Sequence, residues 1–381
     1  MAIMGDPFEK IFGQPRVRDF LRASVKNERV TQAYLFTGPA GSNKTQAAYA
    51  LAQALICENG GCGTCDACVR VARRTHPDVR YFAPEGAAGY LVEQVREIVA
   101  DTSLSPIQAK LKVYILDRVD LLGVAAANAF LKTLEEPPDD VVMILLGRTR
   151  ESVLPTIVSR CSVVPFRHIP ASEAAAIITQ KTGATAEQAR MAIEACGGSM
   201  TRAMEFLGSS ESRTFRQLVL ASLGRVADAD SWDLLQMARE FTVAAKAPLD
   251  SVRAEQEAEM AKNADFLGKP ALRQIEARNK RVLSARTLEA FKQLTAITAS
   301  YLRDILAVCA QTPDLIINVD ARLAIEDAAR RTDEARVARA LKAVGECSTA
   351  ISYNVSPETC ISAMLLEIRE ALYGTDSPRK A

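Results

Sequence analysis

The run Gln32-Ala33-Tyr34-Leu35-Phe36-Thr37, continued without a break by Gly38-Pro39-Ala40-Gly41-Ser42-Asn43-Lys44-Thr45, decides how the chain reads. The first six residues form a short apolar run bounded by turn residues, a buried strand. The next eight nearly match G-x-x-x-x-G-K-[ST], a loop whose backbone N–H groups converge on phosphate oxygens at a helix N-terminus. Gln46 to Ile56, rich in alanine, follows with helical spacing. Strand, glycine-rich turn and helix in that order are the context such a loop requires. Gly38, Gly41 and Asn43 then shape the loop, Lys44 reaches the β- and γ-phosphates of ATP, and Thr45 meets the Mg2+ ion. The plain alternative is a strand–turn–helix without a ligand.

Asn43 stands where the motif has its second glycine. Glycine serves there because the backbone needs a left-handed conformation close to phosphate. Asparagine visits that region more readily than most residues, so the loop shape survives while its side chain crowds the phosphates. A second run, Lys112-Val113-Tyr114-Ile115-Leu116, ends in Asp117. A carboxylate at that strand end holds the water shell of Mg2+ in nucleotide-hydrolysing folds; alone it would equally be a surface acid. Hydrolysis also needs a group that deprotonates water. The next residue is Arg118, whose guanidinium accepts no proton.

Val141-Val142-Met143-Ile144-Leu145-Leu146 is a third strand, and Gly123 to Leu134 a second helix. Strands apolar on both faces and separated by helices predict an α/β fold, a parallel sheet covered on both sides, over residues 1–166. Ser172 to Lys181, Ala186 to Cys196 and Thr201 to Leu207 predict a small helical lid over 167–209, with Gly197-Gly198-Ser199 as a turn. From 210 to 381 the pattern is helical, punctuated by Pro248, Pro270 and Pro313, with a frayed tail from Gly374 to Ala381. Lys269 to Arg286 sets Lys269, Arg273, Arg278, Lys280, Arg281 and Arg286 against Glu276 alone, either a solvated face or a contact for DNA phosphates or an acidic partner. Ile361, Met364, Leu365, Ile368 and Leu372 share one helical face, suited to a subunit interface or to an internal core.

Across all 381 residues the net charge is +1, so no global basic field marks a nucleic-acid binder. No apolar run approaches the roughly 18 residues that span a bilayer. Met1 to Lys10 carries Asp6 and Glu9 and no apolar core, unlike a secretory signal, and a cytoplasmic location is expected.

Four of nine cysteines, Cys57, Cys62, Cys65 and Cys68, fall within twelve residues, spaced C-x4-C-x2-C-x2-C among Gly60, Gly61 and Gly63. Four thiolates suit a closed tetrahedral structural Zn2+ site with no position open for water. Iron–sulfur ligation and four unligated thiols are the alternatives. His76, just before Pro77, reads as a turn residue.

Together these features resemble the bacterial DNA polymerase III clamp-loader subunits of the AAA+ class, from about residue 7 to 207 and more loosely beyond. Pro7-Phe8-Glu9-Lys10-Ile11-Phe12-Gly13-Gln14 is similar to the family's opening segment, which contacts adenine. Val30-Thr31-Gln32-Ala33-Tyr34-Leu35-Phe36 resembles its -HAYLF- run, and the cysteines sit where it carries a zinc module. Asn128-Ala129-Phe130-Leu131-Lys132-Thr133-Leu134-Glu135-Glu136-Pro137-Pro138 is nearly diagnostic of these subunits. Ser159-Arg160-Cys161, after Leu154-Pro155-Thr156-Ile157, is similar to the family's S-R-C. The resemblance implies that Arg160 acts in trans as an arginine finger on a neighbouring subunit's ATP. Arg202 resembles the arginine that senses nucleotide from the second domain, whereas Arg148-Thr149-Arg150 departs from the polar first sensor.

The family's motor type, gamma/tau, keeps both the glycine and the catalytic glutamate; the delta-prime type keeps the S-R-C arginine on a degraded site. Asn43 and Arg118 place the chain with the delta-prime type, and so with little or no ATPase activity of its own. The implied architecture is an AAA+ sheet, a helical lid and an all-α collar. The implied partners are gamma/tau-type and delta-type subunits and, through the assembled loader, the sliding clamp and primed DNA. An ATP-hydrolysing motor subunit of the same complex, or a stand-alone AAA+ remodeller, are the rival readings.

Overall fold

The computed structural model describes residues 5–86, 89–263, 269–353 and 355–374. In chain order the first half comprises α1 (Pro15–Lys26), β1 (Ala33–Thr37), α2 (Lys44–Ile56), α3 (Asp66–Ala72), β2 (Val79–Phe82), α4 (Val92–Thr102), β3 (Lys112–Leu116), α5 (Val124–Glu135), β4 (Val141–Gly147), α6 (Pro155–Val158) and β5 (Ser162–Pro165). There follow α7 (Ala171–Thr182), α8 (Ala186–Ala195), α9 (Met200–Gly208), α10 (Ser210–Leu223), α11 (Ser231–Asn263), α12 (Lys269–Cys309), α13 (Arg322–Arg330), α14 (Glu334–Ser352) and α15 (Pro357–Tyr373).

The sheet is wholly parallel, in the order β2-β3-β4-β1-β5. Its side chains alternate with the period of two that strands impose. Tyr34, Phe36, Val113, Ile115, Ile144 and Leu146 face one apolar layer, shared with Leu21 of α1 and Ala47, Leu51 and Ala54 of α2. Ala33, Leu35, Tyr114, Leu116, Met143 and Leu145 face the other, with Val95 and Ile98 of α4 and Phe130 and Leu134 of α5. This is the α/β sheet covered on both sides that the apolar runs predict. The three strands legible in the sequence are the three central ones. The two that were not, β2 and β5, are the edges: each has four residues and one partner, and both are only partly buried. Edge position tolerates Arg80 and Pro165, which dilute the apolar signal.

Two compact units emerge: Met1–Ile177 with Ser199–Thr201, and Ile178–Gly198 with Arg202–Ala381. The second is helical throughout its described residues. Phe241 of α11, Phe291, Leu294 and Ile305 of α12, Val337 and Val344 of α14, and Ile361, Leu365 and Ile368 of α15 are all buried in it. The apolar face of 361–372 therefore belongs to this chain's own core. One polar cluster is partly buried as well: buried Arg216 clamps buried Asn318 and the exposed Asp320, while buried Asp304 accepts from the backbone of Ile317 and Asn318. Pro248 does not punctuate the helices as expected. It lies inside α11, at an exposed position where the missing hydrogen bond is a local loss. Pro270 does stand at the start of α12, and Pro313 opens a 3-10 turn. The tail reading falls on 375–381, outside the described residues. No described helix is long and apolar enough to cross a membrane.

Candidate functional site

β1, β4 and β3 lie side by side, so the segments leaving their C-terminal ends share one edge of the sheet. These are the loop at Gly38, the run at Arg148 and the acid Asp117, the usual ligand-binding edge of an open parallel sheet. The loop is tightly built. The Gly38 N–H donates to the Gly147 carbonyl at 3.3 Å, and a Cβ on Gly38 would meet the Phe166 carbonyl oxygen at 2.6 Å. Asn43 takes the left-handed conformation (φ 74°, ψ 17°) that glycine would otherwise supply.

The side chain of Asn43 is held by the protein. Its amide donates to the carbonyls of Phe12 (3.3 Å) and Lys10 (3.5 Å), and its Oδ1 accepts from the Thr201 hydroxyl at 3.4 Å. Gln14, buried to 3% exposure, ties the opening segment to the loop by donating to the carbonyls of Ser42 and Arg167. Lys44 is committed too: Nζ donates to the carbonyls of Gly38 (2.5 Å) and Pro39 (2.7 Å) and approaches Ser42 Oγ at 3.3 Å. Burial pulls the Lys44 ammonium below its ordinary range, against the opposing pull of Asp117. Thr45 follows as the second residue of α2.

Asp117 accepts from the Tyr81 hydroxyl on Oδ2 (2.8 Å) and from the Arg118 N–H on Oδ1 (3.0 Å). Burial, then the negative charge of Asp117, pushes the Tyr81 phenol well above its usual range. Tyr81 stacks on Tyr49 of α2 at 6.3 Å, and the Arg74 guanidinium lies 5.0 Å from the Tyr49 ring centre. Arg118 itself is left-handed (φ 52°), and its Nε is buried without a hydrogen-bond partner, as is Oδ1 of Asp120. No carboxylate follows Asp117 directly, and each of its oxygens already accepts one protein donor. The backbone cradle fits a phosphate, whereas its lysine and aspartate are engaged by protein partners. Arg148, Thr149 and Arg150 are exposed, and Thr149 and Ser152 cap each other at 3.1 Å.

Arg160 leaves α6. Its Nε donates to Glu135 Oε1 at 2.8 Å and its Nη2 bonds the same oxygen, while Nη1 donates to the Thr156 carbonyl (2.8 Å) and Ser159 Oγ (3.2 Å). Cys161 beside it packs against the sheet, where burial pushes its thiol up to about 12, an inert packing residue. In the helical unit, Arg202 pairs with Glu289 of α12 and donates to the Cys196 carbonyl at 2.7 Å. Of the basic run on α12, the side chains of Lys269, Arg273, Arg278 and Arg281 lie outside the described residues; Lys280 and Arg286 are exposed.

The four cysteines do converge. Their Sγ atoms all lie within 4.8 Å of one another, with Cys57–Cys62 and Cys57–Cys65 at 3.7 Å and Cys62–Cys68 at 3.9 Å. A tetrahedral ion with about 2.3 Å metal–sulfur bonds places its sulfurs about 3.8 Å apart, so the donor set fits Zn2+ in both chemistry and spacing. Backbone N–H groups of Cys62, Cys65 and Cys68 each donate to the preceding ligand sulfur at 3.4 Å, which favours thiolates. Hydrogen bonds from Thr64 and Cys65 pull the Cys62 thiol down to about 6. His76 is buried outside this set and accepts the Asp78 N–H on Nδ1 at 3.2 Å.

Sequence reasoning placed Gln14 only within the opening segment, and missed Tyr81 and the partner role of Glu135. Only Tyr81 left a trace, as an aromatic at alternate spacing in Val79-Arg80-Tyr81-Phe82. The others act through contacts spanning tens of residues.

Residues 13–170 match the protein-family model described as DNA polymerase III, delta subunit. DNA polymerase III subunit delta' of Bacillus subtilis is 35% identical over 157 residues, covering 40% of this chain and 47% of the relative. The delta' subunit of Pseudomonas aeruginosa is 41% identical over 134 residues, 34% of this chain and 41% of its own. The gamma/tau subunit of Mycobacterium tuberculosis H37Rv is 33% identical over 201 residues, 50% of this chain and 35% of its own. The chain thus spans less than half the length of each of these relatives. Over the stretch it shares with them, which holds the parallel sheet and the phosphate loop, the chain is similar to the delta' and gamma/tau subunits of DNA polymerase III.

Proposed function

We propose that the chain is a delta-prime-type clamp-loader subunit, which hydrolyses no ATP itself and lends Arg160 to the ATP site of a neighbouring motor subunit. The observation that carries this reading is the Asp117–Arg118 pair. A guanidinium follows the metal-shell aspartate where a proton acceptor is needed, and both aspartate oxygens already hold protein donors. The asparagine in the second glycine position points the same way. The relatives alone do not divide delta' from gamma/tau, because both match at similar identity.

The rest of the proposal follows from that role. Gamma/tau-type and delta-type subunits are the partners, and the assembled loader places the sliding clamp on primed DNA in the cytoplasm. The chain works in three parts: the AAA+ region over 1–166, a lid over 167–209 that presents Arg202, and a collar over 210–381. Cys57, Cys62, Cys65 and Cys68 hold a structural Zn2+ that stiffens the insertion between α2 and β2.

The test has two arms. The purified chain alone is expected to turn over no ATP, and steady turnover abolished by Lys44→Ala would establish the motor reading in its place. In the reconstituted complex, Arg160→Ala is expected to lower hydrolysis at one neighbouring site by up to about 10³-fold without loss of assembly. A chain that forms its own rings and ignores the other subunits would support the stand-alone remodeller.

A further inference from the structure

Arg160 is not extended toward solvent. A guanidinium carries five N–H donors. In this structure Nε and Nη2 are both spent on Glu135 Oε1, and Nη1 on the Thr156 carbonyl and Ser159 Oγ. Four of the five are therefore committed within the subunit. A bidentate clamp on phosphate takes two, so at least one internal bond must open before Arg160 can engage a phosphate as a fork.

Glu135 is the bond that must open. It is the last residue of α5, which Pro137 and Pro138 prevent from continuing. A carboxylate there sits at the negative end of the helix dipole, where a cation is favoured and an anion is not. Arg160 supplies that cation, and its Nη1 also rests on a carbonyl of α6. A phosphate arriving from outside would stand beside a carboxylate of like charge sharing the same guanidinium. The Thr156 carbonyl and the Ser159 hydroxyl present no such conflict. The pair is also accessible: the side chains retain 29% and 48% of their exposure and line a shallow surface pocket with Leu134 and Ser159.

We propose that Glu135 is the resting partner of Arg160, a positioning residue that parks the finger against its own subunit until a neighbouring subunit's phosphate displaces the carboxylate. This rests on the trans role of Arg160 proposed above. An interaction present in the ground state and absent in the transition state slows the step it precedes. The neighbouring site therefore turns over below the rate that an unparked finger would give.

The experiment uses the reconstituted loader with wild-type motor subunits, measuring kcat and KM for ATP. Glu135→Gln is expected to raise kcat roughly two- to fivefold, the effect of losing one part-exposed ion pair, with KM little changed. Glu135→Asp, which keeps the charge, should stay near the wild-type kcat. In an Arg160→Ala background, Glu135→Gln should change nothing. A kcat that is unmoved in E135Q, or that falls, overturns the parking role; a fall would mean that the carboxylate aims the finger in its working pose. If E135Q fails to assemble, Glu135→Ala is read in the same way, with the same rise expected. An Arg160→Ala complex that hydrolyses ATP normally removes the underlying trans reading instead, and so separates the two failures.

Discussion

At the cysteine cluster, four sulfurs from one twelve-residue stretch, running from the end of α2 into α3, stand within 4.8 Å of one another, spaced as a tetrahedral metal would space them. Around the phosphate loop, a lysine, an aspartate and an asparagine occupy the places of a working nucleotide site, and each is hydrogen-bonded within the protein, the lysine to carbonyls of its own loop. One site has its donors aimed at a common point. The other has the outline of a site with its reactive groups turned inward. Residue type and spacing describe both equally well; they differ in where the hydrogen bonds go.

The largest effect that would break this contrast is at the metal. Structural zinc contributes about 10–16 kcal/mol of apparent binding free energy in small finger peptides, much of it folding free energy. Cys68→Ser is expected to strip the chain of zinc on dialysis and to lower its thermal midpoint, as chelation of the wild type should. Metal analysis finding iron, or a variant that keeps full metal and stability, would show that the cluster has been misread.

Tyr81→Phe comes next. It removes the hydroxyl held by Asp117, a hydrogen bond to a charged group, at a cost of about 1.5–3 kcal/mol. It also carries a pH signature. The Tyr81 phenol is raised in the folded state, so its contribution is fully present below the unfolded value near pH 10 and is lost as pH climbs from there toward the folded value. Denaturant titrations should show the wild type losing stability above about pH 10 more steeply than Tyr81→Phe, by up to ~1.4 kcal/mol per pH unit. Equal slopes would mean that this hydroxyl does not guard Asp117.

The smallest effect sharpens the contrast at Asn43. Alanine at φ 74° pays left-handed strain of about 1–2 kcal/mol and loses the contacts to Phe12 and Thr201. Glycine relieves the strain, so Asn43→Gly should lie within about 1 kcal/mol of the wild type. Chemical denaturation that ranked the two variants the other way would show that left-handed strain does not decide this position, and an equal loss in both would assign its stability to the side-chain contacts.

What the sequence made legible follows the same division. The central strands β1, β3 and β4 are apolar on both faces and announce themselves, whereas the edges β2 and β5 mix Arg80 and Pro165 into short runs. The cysteine spacing and the phosphate loop are local patterns. The left-handed turn at Asn43 could be anticipated because few other side chains tolerate it. The partner of Arg160 could not, since Glu135 lies 25 residues away and only the packing of α5 beside α6 brings them together. Tyr81 was hidden for a like reason: its target is 36 residues downstream, on the neighbouring strand end. Pro248 misled because a proline is read as a stop, and an exposed helix turn can absorb one.

The seam between Gly5 and Gly63 bears on the order in which this region assembles. A Cβ on Gly5 would fall 1.9 Å from the Cys62 carbonyl oxygen, and one on Gly63 would fall 2.9 Å from the Gly5 Cα, so the two backbones nest with no room for a side chain. The cysteine loop closes over twelve residues, while the Gly5–Gly63 contact closes over nearly sixty, a larger loss of chain freedom. Closing the knuckle first is the entropically cheaper order, with residues 5–14 then seated against a loop that already has its shape.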